Sequence, residues 1–153
     1  MYADCIKDTF GVAVHHHPGA GAAGGAAAGL MAFLDGKLKP GITIVTEALH
    51  LEPLIQEHHF DLLLTGEGKI DGQTASGKVV AGLSELAQKY QLPVIALAGA
   101  IEGDLAPLHE QGLTAALSIT TGPMSLETAM HYGTDLITKQ TEQIYRMIQR
   151  FYK

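Results

Sequence analysis

Apolar residues in this chain recur either at helical spacing or in short continuous runs. The runs "ITIVTEAL", "FDLLLT", "LPVIALAG" and "TAALSIT" predict four strands, because β-branched and apolar residues dominate them. "LPVIALAG" carries no polar residue, which is typical of a central parallel strand covered on both faces. From Val79 to Tyr90, apolar residues recur with a 3.6-residue period and predict a helix.

Further helices are predicted between and around these strands. They cover residues 2–10, the segment "AAAGLMAFLDGKL", Leu51 to His58, and Asp104 to Gln111 with Gly112 as a stop. Ser125 is the predicted N-cap of a long final amphipathic helix. Its apolar stripe comprises Leu126, Ala129, Leu136, Ile137, Ile144, Ile148 and Phe151.

Strands and helices alternate along the chain. This order predicts an α/β fold with a parallel sheet and helices on both faces, a three-layer arrangement of Rossmann or flavodoxin-like type. We expect residues 1–153 to form one such unit. The loops "TGEGKIDGQ", "AGAIEGD" and "TTGPMS" follow predicted strands and should share the carboxyl edge of the sheet, where ligands bind in such folds.

The net charge and the cysteine content of the chain limit which molecules it is expected to bind and where it is expected to reside. A net charge of −6 disfavours nucleic acid and anionic membranes, although a small anionic substrate needs only a few local donors. Cys5 is the single cysteine, which favours a reducing cytoplasm. No apolar run reaches the roughly 18 residues of a membrane span, and "MYADCIKDTF" is too polar for a signal peptide.

A glycine-rich segment matches the dinucleotide-binding pattern G-x-G-x-x-G at Gly19, Gly21 and Gly24, with Glu47 at the end of the next predicted strand. The preceding apolar run is only "VAV", and three histidines and a proline separate it from Gly19. A nicotinamide-dinucleotide module is therefore an alternative, and a loop that allows close backbone approach to a neighbouring element or an anion is favoured.

A second segment nearly matches the phosphate-binding pattern G-x-x-x-x-G-K-S/T, from Gly72 to Lys78. Val79 stands where the Mg²⁺-binding hydroxyl belongs, and several residues separate Gly72 from the strand predicted to end near Thr65. A P-loop fold is therefore disfavoured. Amides near Gly77 and the Lys78 ammonium still suit a phosphate, whereas a plain helix start explains both residues equally well.

The histidines do not show the spacing of a metal site. His15, His16 and His17 are adjacent and cannot all converge on one ion from an extended chain, while His58 and His59 precede a strand. We expect no metal role for them.

The stretch "TGEGKIDGQTASGK" holds the densest set of reactive side chains. Glu67 and Asp71 are four residues apart and suit Mg²⁺ binding, or one of them suits general-base work. Lys69 and Lys78 suit a transferred phosphoryl group. The alternative is a merely solvated polar turn.

Three sequence blocks resemble the glycerate kinase family: "PGAGAAGGAAAGLMAFL" with "PGITIV", then "DLLLTGEGKIDGQTASGKVVAG", then "PVIALAG". "YADCIKDTFGV" is also similar to the helix before the glycine loop in that family. The resemblance implies a two-domain α/β kinase that transfers the γ-phosphoryl group of ATP, with Mg²⁺, to D-glycerate in a cleft between domains. The usual product is 2-phosphoglycerate.

The resemblance covers only the C-terminal part of such an enzyme. The family's "PDSFK"-like and "DGGEG"-like motifs are absent from these 153 residues. We therefore expect either partial kinase machinery, an inactive fragment that at most binds ligand, or a chain that pairs with an N-terminal part or with itself.

The resemblance also suggests roles for particular residues. Glu67 and Asp71 are candidates for metal or hydroxyl contact, and Lys69 and Lys78 for phosphate or substrate carboxylate. The predicted substrate-binding residues are Thr65, Gly66, Gly68, Gln73 and Thr74. Gly19, Gly21, Gly24 and Gly25 complete the set as a close-approach loop at a domain junction.

Overall fold

The computed structural model describes residues 2–75 and 78–151. These residues fall into two compact units, one up to Pro40 and one from Gly41 onward.

The first unit contains two helices, α1 (Tyr2–Phe10) and α2 (Ala22–Leu34). Both were predicted. The core of this unit is small and consists of Ile6, Val14, Ala20 and Ala28, with Phe10 and Phe33 in edge-to-face contact at 5.0 Å. Val14 lies in this core without forming a strand.

The second unit contains the sheet. Its helices are α3 (Gly41–Ala48), α4 (Leu51–Glu57), α5 (Val79–Gln88), α6 (Ala106–Glu110), α7 (Leu126–His131) and α8 (Gly133–Phe151). Its strands are β1 (Leu63–Ile70), β2 (Val94–Ile101) and β3 (Ala115–Ser118). They pair in the order β1-β2-β3, and both pairs are parallel.

Helices cover both faces of this sheet, which confirms the predicted α/β class. Alternate residues of β2 point to opposite faces. Val94, Ala96 and Ala98 join a cluster that includes α5 and α6, whereas Ile95 and Leu97 join one that includes Leu136 and Ile144 of α8. The continuous apolar run in β2 therefore has the predicted cause, because both of its faces are covered.

The strand predicted for "ITIVTEAL" is wrong, because this segment is helix α3. Pro40 precedes the helix and Gly41 is its first residue. Ile42 packs against α5 at Gly82, where an added Cβ would lie 2.5 Å from Ile42 Cγ2. β-branched residues cost only a few tenths of a kcal/mol each in a helix, so their presence does not prevent this segment from being helical.

The predicted single C-terminal helix is two helices, with Tyr132 between them. Ser125 does cap α7, since its hydroxyl accepts a hydrogen bond from the Thr128 amide at 3.1 Å. The predicted stripe is only partly buried: Leu136 and Ile144 lie in the core, but Leu126 is 77% exposed. The break at Tyr132 separates α7 from the stripe of α8.

Gly112 ends the segment after α6, as predicted. Its φ of +102° lies in the left-handed region, and a Cβ there would lie 2.7 Å from the Ser84 carbonyl oxygen. Glycine is therefore required at this position for both conformation and space.

Candidate functional site at the carboxyl end of the sheet

The polar stretch after "FDLLL" is not a loop over its first half. β1 continues through Ile70, so Thr65, Gly66, Glu67, Gly68 and Lys69 are strand residues. They pair with β2 in a register that places Thr65 opposite Ala96 and Glu67 opposite Ala98. The prediction that the strand ends near Thr65 is wrong, because ladder hydrogen bonds are made by the backbone and do not require apolar side chains.

Two glycines explain how the strands approach here. A Cβ at Gly66 would lie 3.0 Å from the Leu97 carbonyl oxygen, and a Cβ at Gly99 would lie 2.7 Å from that of Gly68. Glycine in a strand often marks such a close approach of backbones. Gly66 and Gly99 thus have a packing role between β1 and β2.

A tight turn follows β1, and we call Asp71–Ala75 the polar turn. The Thr74 amide donates to the Asp71 carbonyl at 2.9 Å, and the Asp71 amide donates to Thr74 Oγ1 at 3.1 Å. Asp71 Oδ1 accepts from the Gln73 amide at 2.9 Å, as in an Asx-turn. Thr74 is fully buried, so Asp71 and Thr74 stabilise the turn in addition to any chemical role.

An ion pair joins the ends of β1 and β2. Lys69 Nζ lies 2.8 Å from Glu102 Oε2 and 4.0 Å from Asp71 Oδ2. The hydrogen bond to Glu102 and the charge of that carboxylate raise the pKa of Lys69. Because the carboxyl ends of parallel strands lie at one edge, the loops after β1, β2 and β3 share that edge, as predicted.

Glu102 was not predicted as a site residue, although the loop "AGAIEGD" that contains it was. Its position could have indicated a site residue, since Glu102 directly follows β2 as Asp71 directly follows β1. Its amide donates to the Ile70 carbonyl at 2.9 Å, which ties the two strand ends together.

The structure brings together Lys69, Asp71, Gln73, Thr74 and Glu102. Glu67 lies in β1 two residues before Lys69 and is half-buried, with no ion pair or hydrogen bond among residues 2–75 and 78–151. Lys78 is exposed and precedes α5 as its N-cap residue, without a side-chain capping bond. Gly77, part of the predicted phosphate cradle, lies outside the described residues.

No group of three or more His, Cys, Asp or Glu side chains in the described ranges is placed to hold a metal ion. Mg²⁺ in nucleotide sites uses one or two carboxylates together with waters and phosphate oxygens. Glu67 and Asp71 Oδ2, which lies 4.0 Å from Lys69 Nζ, fit that limited role and do not fit an all-protein metal cage.

The glycine loop of the first unit does not have the context of a dinucleotide site. No strand precedes Gly19 within residues 2–40, and Glu47 lies in α3 and not at a strand end. The physical reason is that the Rossmann pattern needs a strand feeding directly into its turn. The glycine loop therefore lacks the strand-to-turn geometry of a dinucleotide site.

What this loop does need is unusual backbone conformation. Gly19, Gly24 and Gly25 have φ of +84°, +67° and +93°, and Ala23 between them also has a positive φ of +51°. An added Cβ at Gly21, Gly24 or Gly25 has no atom of residues 2–40 within 4 Å. Within the first unit, a positive φ accounts for Gly19, Gly24 and Gly25, whereas Gly21 has an ordinary φ of −78°.

The described residues include no helix that is both long and apolar enough to cross a membrane.

The fold and the polar edge define the class: a parallel α/β protein with a candidate anion-handling site at the carboxyl ends of β1 and β2. A model of the glycerate kinase family matches residues 1–149. The chain therefore belongs to the glycerate kinase family.

Relatives support this assignment. The chain is 45% identical over 143 residues to a glycerate 2-kinase of Escherichia coli K12 and 41% identical over 143 residues to a glycerate kinase of Halalkalibacterium halodurans. Each match covers 94% of this chain and 37% of the relative.

A solved structure agrees with the sequence relatives. The crystal structure of a glycerate kinase 2 from Salmonella typhimurium LT2 matches with a TM-score of 0.72 and 36% identity. That match covers 99% of this chain and 38% of the other. The chain thus spans somewhat more than a third of the length of the relatives that it matches.

Proposed function

We propose that this chain provides part of a site that transfers the γ-phosphoryl group of ATP to a hydroxyl of D-glycerate, with 2-phosphoglycerate as the product. The observation that carries the proposal is the cluster of Lys69, Asp71 and Thr74 at the carboxyl edge of the sheet, in a chain of this family. Residues beyond these 153, or a separate N-terminal partner, would complete the site.

The acidic residues have distinct proposed roles. Glu67 has no partner among the described side chains and is available to hold Mg²⁺, which when bound would neutralise phosphate charge. Asp71 has one oxygen in the turn and the other 4.0 Å from Lys69 Nζ. That second oxygen is available to accept the proton of the glycerate hydroxyl.

The basic and polar residues would bind and orient the anions. Lys69 and Lys78 would contact phosphate or the glycerate carboxylate, and the exposed position of Lys78 before α5 leaves its ammonium accessible. Thr65, Gly66, Gly68 and Gln73, in β1 and the polar turn, would also take part in substrate binding. The glycine loop, with Gly19, Gly21, Gly24 and Gly25, is also proposed to take part in substrate binding.

A chimera tests this function directly. The matched 37% of the Escherichia coli relative is replaced by this chain, and phosphorylation of D-glycerate is followed with ATP and Mg²⁺. We expect turnover, and phosphorus NMR of the product distinguishes the 2- from the 3-phosphate. An inactive but folded chimera would contradict the proposed function.

In the active chimera, Asp71→Asn should lower kcat by at least about 100-fold, the low end for acid/base catalysis. The substitution keeps Oδ1 as the acceptor for the Gln73 amide, so the turn should survive. Asp61→Asn, on an exposed residue before β1 at the other end of the strand, is the matched control and should leave kcat unchanged. An unchanged kcat in Asp71→Asn would remove Asp71 from the chemistry.

The 153-residue chain alone is assayed in parallel. Turnover by this chain would show that it carries a sufficient site. Absence of turnover with an active chimera would support the proposal that residues from elsewhere complete it.

A further inference from the structure

A long-range hydrogen bond ties the polar turn to another element. Gln111 Nε2 donates to the Ala75 carbonyl oxygen at 3.1 Å, across 36 positions of the chain. Gln111 caps the C-terminal end of α6, whereas Ala75 is the last residue of the polar turn. The bond therefore joins the end of α6 to the segment that leads into α5.

The remaining hydrogen bonds of the polar turn are internal. The bonds between Asp71 and Gln73 and between Asp71 and Thr74 close the turn on itself. Among residues 2–75 and 78–151, Gln111 supplies the hydrogen bond that reaches this turn from another helix or strand. Burial of Thr74 holds the turn against the core, and the Gln111 bond adds a directed link from the end of α6 to the last residue of the turn.

The backbone of Gln111 is itself held firmly. Its amide donates to the Pro107 carbonyl at 3.2 Å, and the adjacent Gly112 packs so closely on α5 that a Cβ would lie 2.7 Å from the Ser84 carbonyl oxygen. Leu113, two residues on, is buried in the core cluster. The Gln111 side chain thus extends from a backbone that is hydrogen-bonded and packed against α5.

The two ends of the Gln111 amide differ. Its Nε2 has a partner, whereas its Oε1 is buried and has no hydrogen-bond partner among residues 2–75 and 78–151. A buried acceptor without a partner costs free energy, so this side chain is not optimised for stability alone. The N–H donor is the polar group for which the fold provides a partner.

We propose that Gln111 is a positioning residue that holds the polar turn, and with it Asp71, in place for the anionic substrates. Gln111 acts through the Ala75 carbonyl. The functional part of this inference rests on the proposed kinase function, whereas its structural part does not.

Gln111→Met removes the donor and also the unpartnered acceptor, with little change of volume. In the 153-residue chain we expect the amides of Gln73 and Thr74 to exchange with solvent about three- to tenfold faster, the factor that one net hydrogen bond supplies. The free energy of unfolding should change little, because losing the bond and losing the unpartnered oxygen offset each other.

Gln88→Met is the matched control. Gln88 Nε2 donates to the Glu110 carbonyl at 3.3 Å, so it contacts the same end of α6 without contacting the polar turn. It should leave exchange at Gln73 and Thr74 unchanged. Equal exchange in wild type and Gln111→Met, or acceleration spread evenly over all amides, would overturn the positioning role.

The functional part is measured in the chimera. Gln111→Met should raise the KM for ATP or for D-glycerate about three- to tenfold, and Gln88→Met should not. Unchanged KM values for both substrates would overturn it. If the unmodified chimera is inactive, the kinase function fails, and the exchange experiment still decides whether Gln111 holds the turn.

Discussion

β1 and β2 are paired strands of equal length with opposite characters. Residues 94–98 of β2 are all buried, whereas β1 has only Ile70 buried and carries Thr65, Glu67 and Lys69 on one side. β2 lies between two neighbours, whereas among the described strands β1 has one. Backbone hydrogen bonds to a neighbouring strand are therefore enough to form a strand. A continuous run of apolar side chains indicates instead that both faces of the strand are covered.

The largest expected effect comes from placing a charge in the covered strand. Ala96 is fully buried, so Ala96→Asp should lower the free energy of unfolding by about 3–5 kcal/mol or more, because the carboxylate lacks a partner. Urea denaturation followed by circular dichroism measures this difference.

The control introduces aspartate at the β1 residue that pairs with Ala96. Thr65 pairs with Ala96 and is half-buried, so Thr65→Asp should cost about 1 kcal/mol, an ordinary mutational effect. Equal losses at the two positions would contradict the contrast between the strands. If Ala96→Asp does not fold, Ala96→Ser against Thr65→Ser makes the same comparison on a smaller scale.

A smaller effect is expected from a methyl group between the strands. Gly99→Ala in β2 would place a Cβ 2.7 Å from the Gly68 carbonyl oxygen, which is backbone and yields little. We expect a loss of about 1–3 kcal/mol in the free energy of unfolding. Gly68→Ala, whose added Cβ meets open space, should stay within about 0.5 kcal/mol of wild type.

The smallest effect concerns the ion pair at the strand ends. Glu102→Gln removes the main cause of the raised pKa of Lys69, so that pKa should fall toward its ordinary value of 10.5. A raised folded-state pKa contributes stability below the unfolded pKa, and this contribution is lost as the pH rises through the folded value.

Between about pH 6 and about pH 9 this contribution is present, so Glu102→Gln should lower the free energy of unfolding. The loss should be small, because exposed ion pairs contribute weakly. NMR titration of the Lys69 side chain measures the shift. An unmoved Lys69 pKa in Glu102→Gln would show that Glu102 does not hold this ammonium in solution.

The sequence by itself determined the fold class, the central strand and the position of the polar residues. The apolar run of β2 could be predicted because burial on both faces leaves a continuous pattern, and the glycine after α6 because a left-handed residue ends the segment. It also placed Lys69, Asp71 and Thr74 in one stretch, since they are close in sequence.

Only the tertiary structure decided the rest. α3 is a helix despite its β-branched residues and contacts α5 through Ile42 and Gly82. β1 continues through polar residues because β2 holds its backbone. Glu102 and Gln111 reach the candidate site from 33 and 36 positions away, distances that local patterns do not report. Packing and long-range hydrogen bonds link residues that are distant in sequence, so they are decided only when the whole unit folds.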